Sequence, residues 1–269
     1  MTPQSSSAFS NASAYDGYVG RWSRLVGQSF IAWLNPPPGR TWLDMGAGTG
    51  ILTEIVIEHA APQKIVGVDL SPEYIEVARQ RVRDARAEFV VADAQSPIAD
   101  AGSYDIAISG LVLNFVPDPQ QAVNRMAEAV RPGGQVAAYV WDYGGRMEMM
   151  RHFWDAATVV DPSAAEQDSG PRFAIARPEN LRAAFEAARL RAVETTPIDA
   201  PTHFASFDDY WLPFLGAQGS VSKYLRSLDE AGREAIREQL TRQLPIASDG
   251  TIDLIARAWA VKGAKPQTG

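Results

Sequence analysis

The 269-residue sequence contains no cysteine. That excludes disulfides, thiolate zinc sites, iron–sulfur clusters and a cysteine nucleophile. Histidine is scarce. His59, His152 and His203 stand far apart, none pairs with another at metal-ligand spacing, and no metal site is expected. No stretch approaches the roughly 18 apolar residues of a membrane helix. The first twenty residues hold no Lys, Arg or apolar run, so they do not read as a secretory signal. Positive charge is in deficit: 25 Lys and Arg face 32 Asp and Glu, for a net charge of −7. Such a chain lacks the field that nucleic-acid binders use against phosphates. The expectation is a soluble, cytoplasmic protein, monomer or homodimer, that acts on a small molecule and has no nucleic-acid or membrane partner.

What is present is an ordinary globular composition, 46% hydrophobic and 21% charged. Residues 1–13 are polar and Ser-rich and predict a disordered start. Trp22, Leu25, Val26, Phe30, Trp33 and Leu34 fall at helical spacing, predicting a helix over 18–34 that stops at Asn35-Pro36-Pro37-Pro38-Gly39. Strands follow at 41–45, 64–69, 88–91, 104–109 and 135–141. Between them lie helices: one from Ile51, one from Ser71-Pro72 to about Asp84, and one over 119–130 closed by Arg131-Pro132-Gly133-Gly134. Strands alternating with helices mean βαβ units and a parallel sheet, and the right-handed crossover rule leaves a doubly wound sheet as the leading topology. Beyond 141 the rhythm changes. Residues 143–177 read as an insertion, 178–188 as a helix, 190–198 as a strand, and 206–247 as aromatic-rich and then helical. Residues 251–262 read as a last strand or as a helix passing into one.

Chemistry is concentrated at the carboxyl ends of the strands, where open α/β sheets bind ligands. The first strand runs into Asp44-Met45-Gly46-Ala47-Gly48-Thr49-Gly50, a turn whose glycines let backbone approach a ligand closely. Alone that turn also fits a purely structural role. Asp69 ends the second strand, where a carboxylate can take both hydroxyls of a ribose. Asp93 ends the third, where it can accept from an adenine amino group. Three acids at successive strand ends say more than any one.

On these residues the chain resembles the class I S-adenosylmethionine-dependent methyltransferases, specifically the type 11/25-like, bacterial small-molecule branch. Leu43-Asp44-Met45-Gly46-Ala47-Gly48-Thr49-Gly50 matches the LDxGxGxG motif. Gly67-Val68-Asp69-Leu70-Ser71 matches the ribose segment, Ala92-Asp93-Ala94 the adenine segment, and Val130-Arg131-Pro132-Gly133-Gly134 the LxPGG turn. The resemblance covers 14–141 well and the remainder by strand order. It implies a Rossmann-like α/β fold: a doubly wound, seven-stranded, mostly parallel sheet of order 3-2-1-4-5-7-6, with the last strand antiparallel and helical lid insertions. The organisation implied is a single methyltransferase domain over 14–269, with a cofactor core at 41–141 and lids at 143–177 and 206–247.

The same resemblance implies S-adenosyl-L-methionine as cofactor and S-adenosyl-L-homocysteine as product. Asp44, Gly46, Ala47 and Gly48 would lie at the methionine portion, Asp69 on the ribose, and Asp93 on the adenine amino group. Leu70 and Ala94 would flank the ring, with Ser109 and Leu111 toward the methionine end. The family often has cysteine where this chain has Ala47, at a position where the backbone makes the contacts. The segment around Tyr15, Tyr18, Arg21 and Trp22 is similar to a cofactor-covering helix of a bacterial subgroup. An arginine can hold a carboxylate and aromatic rings can shield a sulfonium, whereas a structural reading makes Trp22 helix core.

A sulfonium methyl is already activated, so transfer needs alignment and exclusion of water more than a base. Tyr143, His152 and His203 are the candidate catalytic side chains, and each also reads as a packed or surface residue. Asn114, Trp141, Tyr143, Met150, Phe207 and Trp211 are the candidate substrate contacts, because methionine-rich aromatic surfaces suit small organic ligands. The same rings also read as helix core. Two other functions fit part of the pattern. An NAD-dependent oxidoreductase would place its third glycine where Ile51 stands, and leaves Asp44 and Asp93 unexplained. A non-catalytic module that binds the cofactor or its product would keep the acids without transfer. The absent cysteine argues against cytosine-C5 and arsenic methylation, and Ser109-Gly110-Leu111-Val112 lacks the motif of nucleic-acid amino methylases.

Overall fold

The computed structural model describes residues 21–97, 100–216 and 219–267. The expected disordered residues 1–13 and the expected helix start at Tyr18 lie outside them. The described chain forms a seven-stranded sheet of order β3-β2-β1-β4-β5-β7-β6. The strands are β1 Thr41–Met45, β2 Lys64–Asp69, β3 Ala87–Val91, β4 Tyr104–Gly110, β5 Val130–Trp141, β6 Arg191–Phe204 and β7 Ile252–Ala264. The chain divides into two compact units. One comprises Arg24–Val140, Ile175–Ile198 and the chain from Ala258. The other comprises the described chain up to Ser23, Trp141–Ala174 and Asp199–Arg257.

In the first unit β1 pairs in parallel with β2 and with β4, β2 with β3, and β4 with β5. Continuous apolar runs suit strands buried on both faces, and Trp42, Leu43, Met45, Ile65 and Ile108 have no exposed surface. Register sets the functional edge. Asp44 lies opposite Gly67 and Ile108, and Asp69 lies opposite Val91. One edge of a parallel sheet therefore carries the carboxyl ends of β1, β2 and β3, with Asp44 near the end of β1, Asp69 ending β2 and Asp93 two residues past β3.

Helices α1 Arg21–Leu34, α2 Ile51–His59, α3 Pro72–Arg81, α4 Pro119–Ala129 and α7 Pro178–Ala187 follow the apolar spacing. In α1, Val26, Phe30, Ile31 and Leu34 are buried, with the Phe30 ring 4.7 Å from that of Tyr139. Leu25, expected on that face, is 42% exposed. Helix α3 ends three residues before the expected Asp84, because Val82 turns extended and buries itself beside Ile75, Ala78 and Phe89. Asp84 then binds the Arg86 backbone and guanidinium. The Arg131-Gly134 turn is drawn into β5 as an irregularity. Tyr104 pairs with Val130 but Ile106 pairs with Gln135, and Gly133 takes the left-handed conformation at φ 76°.

In the second unit the expected insertion at 143–177 is α5 Glu148–Val160, a 3-10 turn at Pro162–Gln167 and α6 Ser169–Arg172. The expected 206–247 segment is three helices: α8 Phe207–Gly216, α9 Ser220–Ser227 and α10 Glu230–Gln243. Phe153, Trp154, Phe204, Tyr210 and Phe214 are almost wholly buried here, and the Tyr210 hydroxyl donates to the Met149 carbonyl at 2.8 Å. Strand β7 resolves the ambiguity at 251–262 in favour of strand throughout. Strand β6 runs to Phe204, six residues past the expected end, because its cross-strand pairs continue: Asp199 with Arg257, and His203 with Asp253. Those pairs step in opposite directions along the two strands, so β6 and β7 are antiparallel.

Arg151 fastens the insertion. Its guanidinium holds Asp168 at 3.0 and 2.6 Å and donates to the Tyr143 carbonyl at 3.1 Å, with both charged side chains largely covered. Arg151→Met leaves Asp168 without its cation. The expected cost is about 2 kcal/mol, between that of a surface pair and a fully buried one, read as a lower urea midpoint at unchanged slope.

Candidate functional site

The site is built on the β1–α2 turn. Gly46 and Ala47 both donate backbone N–H groups to the Val68 carbonyl, at 2.8 and 2.9 Å, which ties the turn to the end of β2. Gly46, Gly48 and Gly50 all have positive φ, at 77°, 53° and 84°. The three glycines serve different ends. A methyl on Gly46 would lie 2.5 Å from a Val112 methyl, and one on Gly50 would lie 3.1 Å from the Ala78 methyl. A methyl on Gly48 would meet nothing within 4 Å. Gly46 and Gly50 are therefore glycine for packing, whereas Gly48 bares its backbone to open space.

Asp44 is fully buried. Its Oδ2 accepts from the Thr53 hydroxyl at 2.7 Å, and its Oδ1 has no partner among the described residues. Removal from water pushes the carboxyl up to about 7; the Thr53 hydrogen bond opposes this and the charge of Asp69 adds to it. Asp69 accepts the Gly48 N–H on Oδ2 and the Ser71 N–H on Oδ1, each at 2.9 Å. One carboxylate thus fixes both the glycine turn and the start of α3, whose N-cap is Ser71. Asp93 accepts the Gln95 N–H at 2.9 Å. Gln95 in turn accepts the Asp118 N–H at 3.0 Å, linking that acidic turn to the segment that follows β4.

The remaining residues singled out from the sequence fall into distinct surroundings. The Ala47 methyl is buried in the cluster of Ile75, Ala78, Val82 and Phe89, so at this position the side chain serves packing. Leu70 is 69% exposed beside the acidic turn, and Ala94 is half-buried. The Ser109 hydroxyl donates to the Met45 carbonyl at 2.8 Å and clamps the ends of β4 and β1 together. Leu111 adopts φ 62° while its N–H donates to the Tyr139 carbonyl, a left-handed conformation rare for a branched residue. Asn114 is buried. Tyr15, Tyr18 and the Arg21 side chain lie outside the described residues.

In the second unit several of the candidate residues pack against other side chains. Trp22 is buried edge-on against Phe204 at 5.2 Å, and Trp211 is buried between Phe207 and Phe214. Phe207 also carries the Arg237 guanidinium 5.4 Å over its ring. Trp141 is buried, Tyr143 packs on Phe173, and Met150 and His152 are half-buried on α5. His203 is exposed and bonds Asp253 at 2.8 Å. Among the described residues no three His, Asp or Glu side chains gather as a metal site would require, and no helix is long and apolar enough to cross a membrane. Thr53 and Gln95 were not singled out from the sequence. Their signal is weak, a hydroxyl in the first turn of the helix and an amide two residues past an acid.

Residues 43–138 match the family model described as a methyltransferase domain, and that segment spans β1 through most of β5. That segment is thus matched as a methyltransferase domain, set in a sheet of order 3-2-1-4-5-7-6. An arsenite methyltransferase of Halobacterium salinarum is 29% identical over 208 residues, 75% of this chain and 48% of that protein. A 2-methyl-6-phytyl-1,4-hydroquinone methyltransferase of Synechocystis is 27% identical over 201 residues, 74% of this chain and 62% of its own length. The chain thus spans about half to three-fifths of these relatives. The structure of Haemonchus contortus phosphoethanolamine N-methyltransferase 2 in complex with S-adenosyl-L-methionine shares the fold. Its TM-score is 0.60 at 18% identity, covering 98% of this chain and 57% of that one.

Proposed function

We propose that this protein is a methyltransferase that binds S-adenosylmethionine at the β1–β3 edge and passes its methyl group, by in-line displacement, to a small organic molecule. The observation that carries the reading is the open backbone at Gly48, bonded to Asp69, on an edge with two further acids: Asp44 with one oxygen unpartnered and Asp93 past the end of β3. This set of acceptors fits a cofactor with cationic groups, ribose hydroxyls and an amino-bearing ring. It suits a dinucleotide pyrophosphate poorly, because carboxylates repel that anion.

When bound, the cofactor supplies a methyl group already activated as a sulfonium. The chain's part is to hold and align it. Asp69 would take the ribose hydroxyls while keeping the glycine turn in place. Asp93 would accept from the adenine amino group, and Leu70 and Ala94 would cover the ring. The unpartnered oxygen of Asp44 would face the amino-acid end. Ser109 acts at a remove, by fixing β4 against β1. No residue is assigned as a base, since displacement at a sulfonium centre needs alignment first. Of the chemistries named for the relatives, arsenite methylation fits least, because the sequence has no thiolate for a soft metalloid.

Thermal-shift titration separates the alternatives. Stabilisation by S-adenosylhomocysteine and not by NAD is expected, and stabilisation by NAD alone defeats the reading. Methyl-labelled cofactor incubated with a small-molecule extract is expected to give labelled product. Tight S-adenosylhomocysteine binding without any labelled product would mark a non-catalytic module instead.

A further inference from the structure

The segment between β4 and α4 contains a buried side chain whose polar atoms are unused. Asn114 is 8% exposed, and neither its Nδ2 nor its Oδ1 has a hydrogen-bond partner among the described residues. A buried amide left unpaired at both ends is costly, and folded proteins rarely tolerate one without cause. The neighbouring backbone is well tied. The Leu111 N–H donates to the Tyr139 carbonyl at 2.8 Å, and the Phe115 N–H donates to the Val112 carbonyl at 2.7 Å. The fixed turn carries Val112 onto the glycine turn, where a methyl on Gly46 would be 2.5 Å away. Asn114 therefore stands two residues from a side chain that touches the β1–α2 turn, on a segment whose path begins with the left-handed Leu111.

We propose that Asn114 selects the methyl acceptor, by binding through its amide a neutral group that presents a hydrogen-bond donor and an acceptor side by side, such as a hydroxyl next to a carbonyl or a second hydroxyl. The inference rests on the methyltransferase reading above and adds the chemical class of substrate. An amide offers an N–H and a carbonyl oxygen about one bond angle apart, a pairing met bidentately by a matching donor–acceptor edge. A carboxylate or phosphate can only accept, and an ammonium can only donate, so each leaves half of the amide unpaired. Residues 111–118 contain one charged side chain, Asp118, whose carboxylate accepts the Gln121 N–H at the start of α4. The segment thus carries no cation to offset a buried anion. An amide does not titrate near neutrality, so Asn114 binds and orients, and no proton passes through it.

Two variants test this. Asn114→Leu keeps the shape and removes both polar ends, and Asn114→Asp keeps the shape and removes the donor. In the ligand-free protein Asn114→Leu is expected to raise Tm, by about 2–4 °C if it relieves roughly one unpaired group. S-adenosylhomocysteine affinity should stay within about twofold, while labelled-methyl transfer into the small-molecule extract should fall at least about a hundredfold in both variants. The product labelled by the parent protein should be neutral and carry adjacent oxygen functions. A fall in Tm for Asn114→Leu would show the amide to be structural and overturn the proposal. So would unchanged labelling by both variants, or a labelled product that is an anion or an amine without such a pair. A parent protein that binds S-adenosylhomocysteine yet labels nothing instead removes the methyltransferase reading, and the acceptor role falls with it.

Discussion

Asp44→Asn will stabilise the ligand-free protein at pH 8 while weakening its hold on S-adenosylhomocysteine. The carboxyl is fully buried, has one oxygen unpartnered and is pushed up to about 7 by desolvation. In the unfolded chain the same group ionises near its ordinary value of 3.8. The sign follows. Below pH 3.8 the group is protonated in both states and costs the fold nothing. As pH rises through that value the unfolded chain gains by ionising and the folded chain does not, so stability falls until the folded carboxyl ionises too. A gap of about three pK units corresponds to about 4 kcal/mol once both forms are ionised. Asparagine still accepts from Thr53 through its oxygen, but leaves an N–H unpaired at about 1–2 kcal/mol. The expected net gain is therefore about 2 kcal/mol at pH 8 and close to zero at pH 5. Denaturant titrations at both pH values read it directly.

Binding should move the opposite way. If the free oxygen of Asp44 faces the cationic end of the cofactor, S-adenosylhomocysteine affinity in the parent rises between pH 6 and 8 as the carboxylate forms. In Asp44→Asn it should be flat with pH and about tenfold weaker at pH 8, the equivalent of one modest charge-assisted contact. A variant that is more stable and binds equally well would remove Asp44 from the site and leave its burial without a functional account. This is the usual sign of a group kept at a cost to the fold because ligand binding needs it.

Much of this edge is legible in the sequence, for identifiable reasons. Parallel strands read as short apolar runs bounded by acids and glycines. Asp44, Asp69 and Asp93 were therefore visible as strand ends, and register then did the rest by aligning Asp69 with Val91. The bond from Thr53 to Asp44 was not legible, because it depends on how the first turn of α2 folds back on β1. The unused amide of Asn114 was not legible either, since a segment's burial is a property of what covers it. The aromatic residues show the opposite difficulty. Trp22, Phe207 and Trp211 carry the same composition whether they line a ligand or a core, and only contacts such as Trp22 on Phe204 tell them apart. The length of β6 escaped for a similar reason. Its second half follows Pro197 and contains Pro201, so it reads as loop, yet its pairs with β7 hold it extended to Phe204.

Two glycines two residues apart should fail in different ways when given the same methyl group. Gly46→Ala combines a left-handed backbone with a methyl placed 2.5 Å from Val112, on a segment tied at both ends. Conformational strain of about 1–2 kcal/mol and overpacking of about 1–3 kcal/mol together cost the fold about 3–4 kcal/mol. Trimming the neighbour in the double variant Gly46→Ala/Val112→Ala should recover the overpacking part and leave the strain. Gly48→Ala meets nothing within 4 Å, so its cost to the fold is strain alone, about 1–2 kcal/mol. Its N–H can still reach Asp69. The new methyl, however, occupies the open space over which the cofactor is proposed to lie, and S-adenosylhomocysteine affinity should fall about a hundredfold, near 3 kcal/mol. Urea unfolding and calorimetric titration of the two single variants separate the effects. The Gly46 variant should lose mainly stability and the Gly48 variant mainly affinity. If Gly48→Ala binds the product as the parent does, the cofactor does not lie over this turn, and the glycines there are accounted for by chain geometry alone.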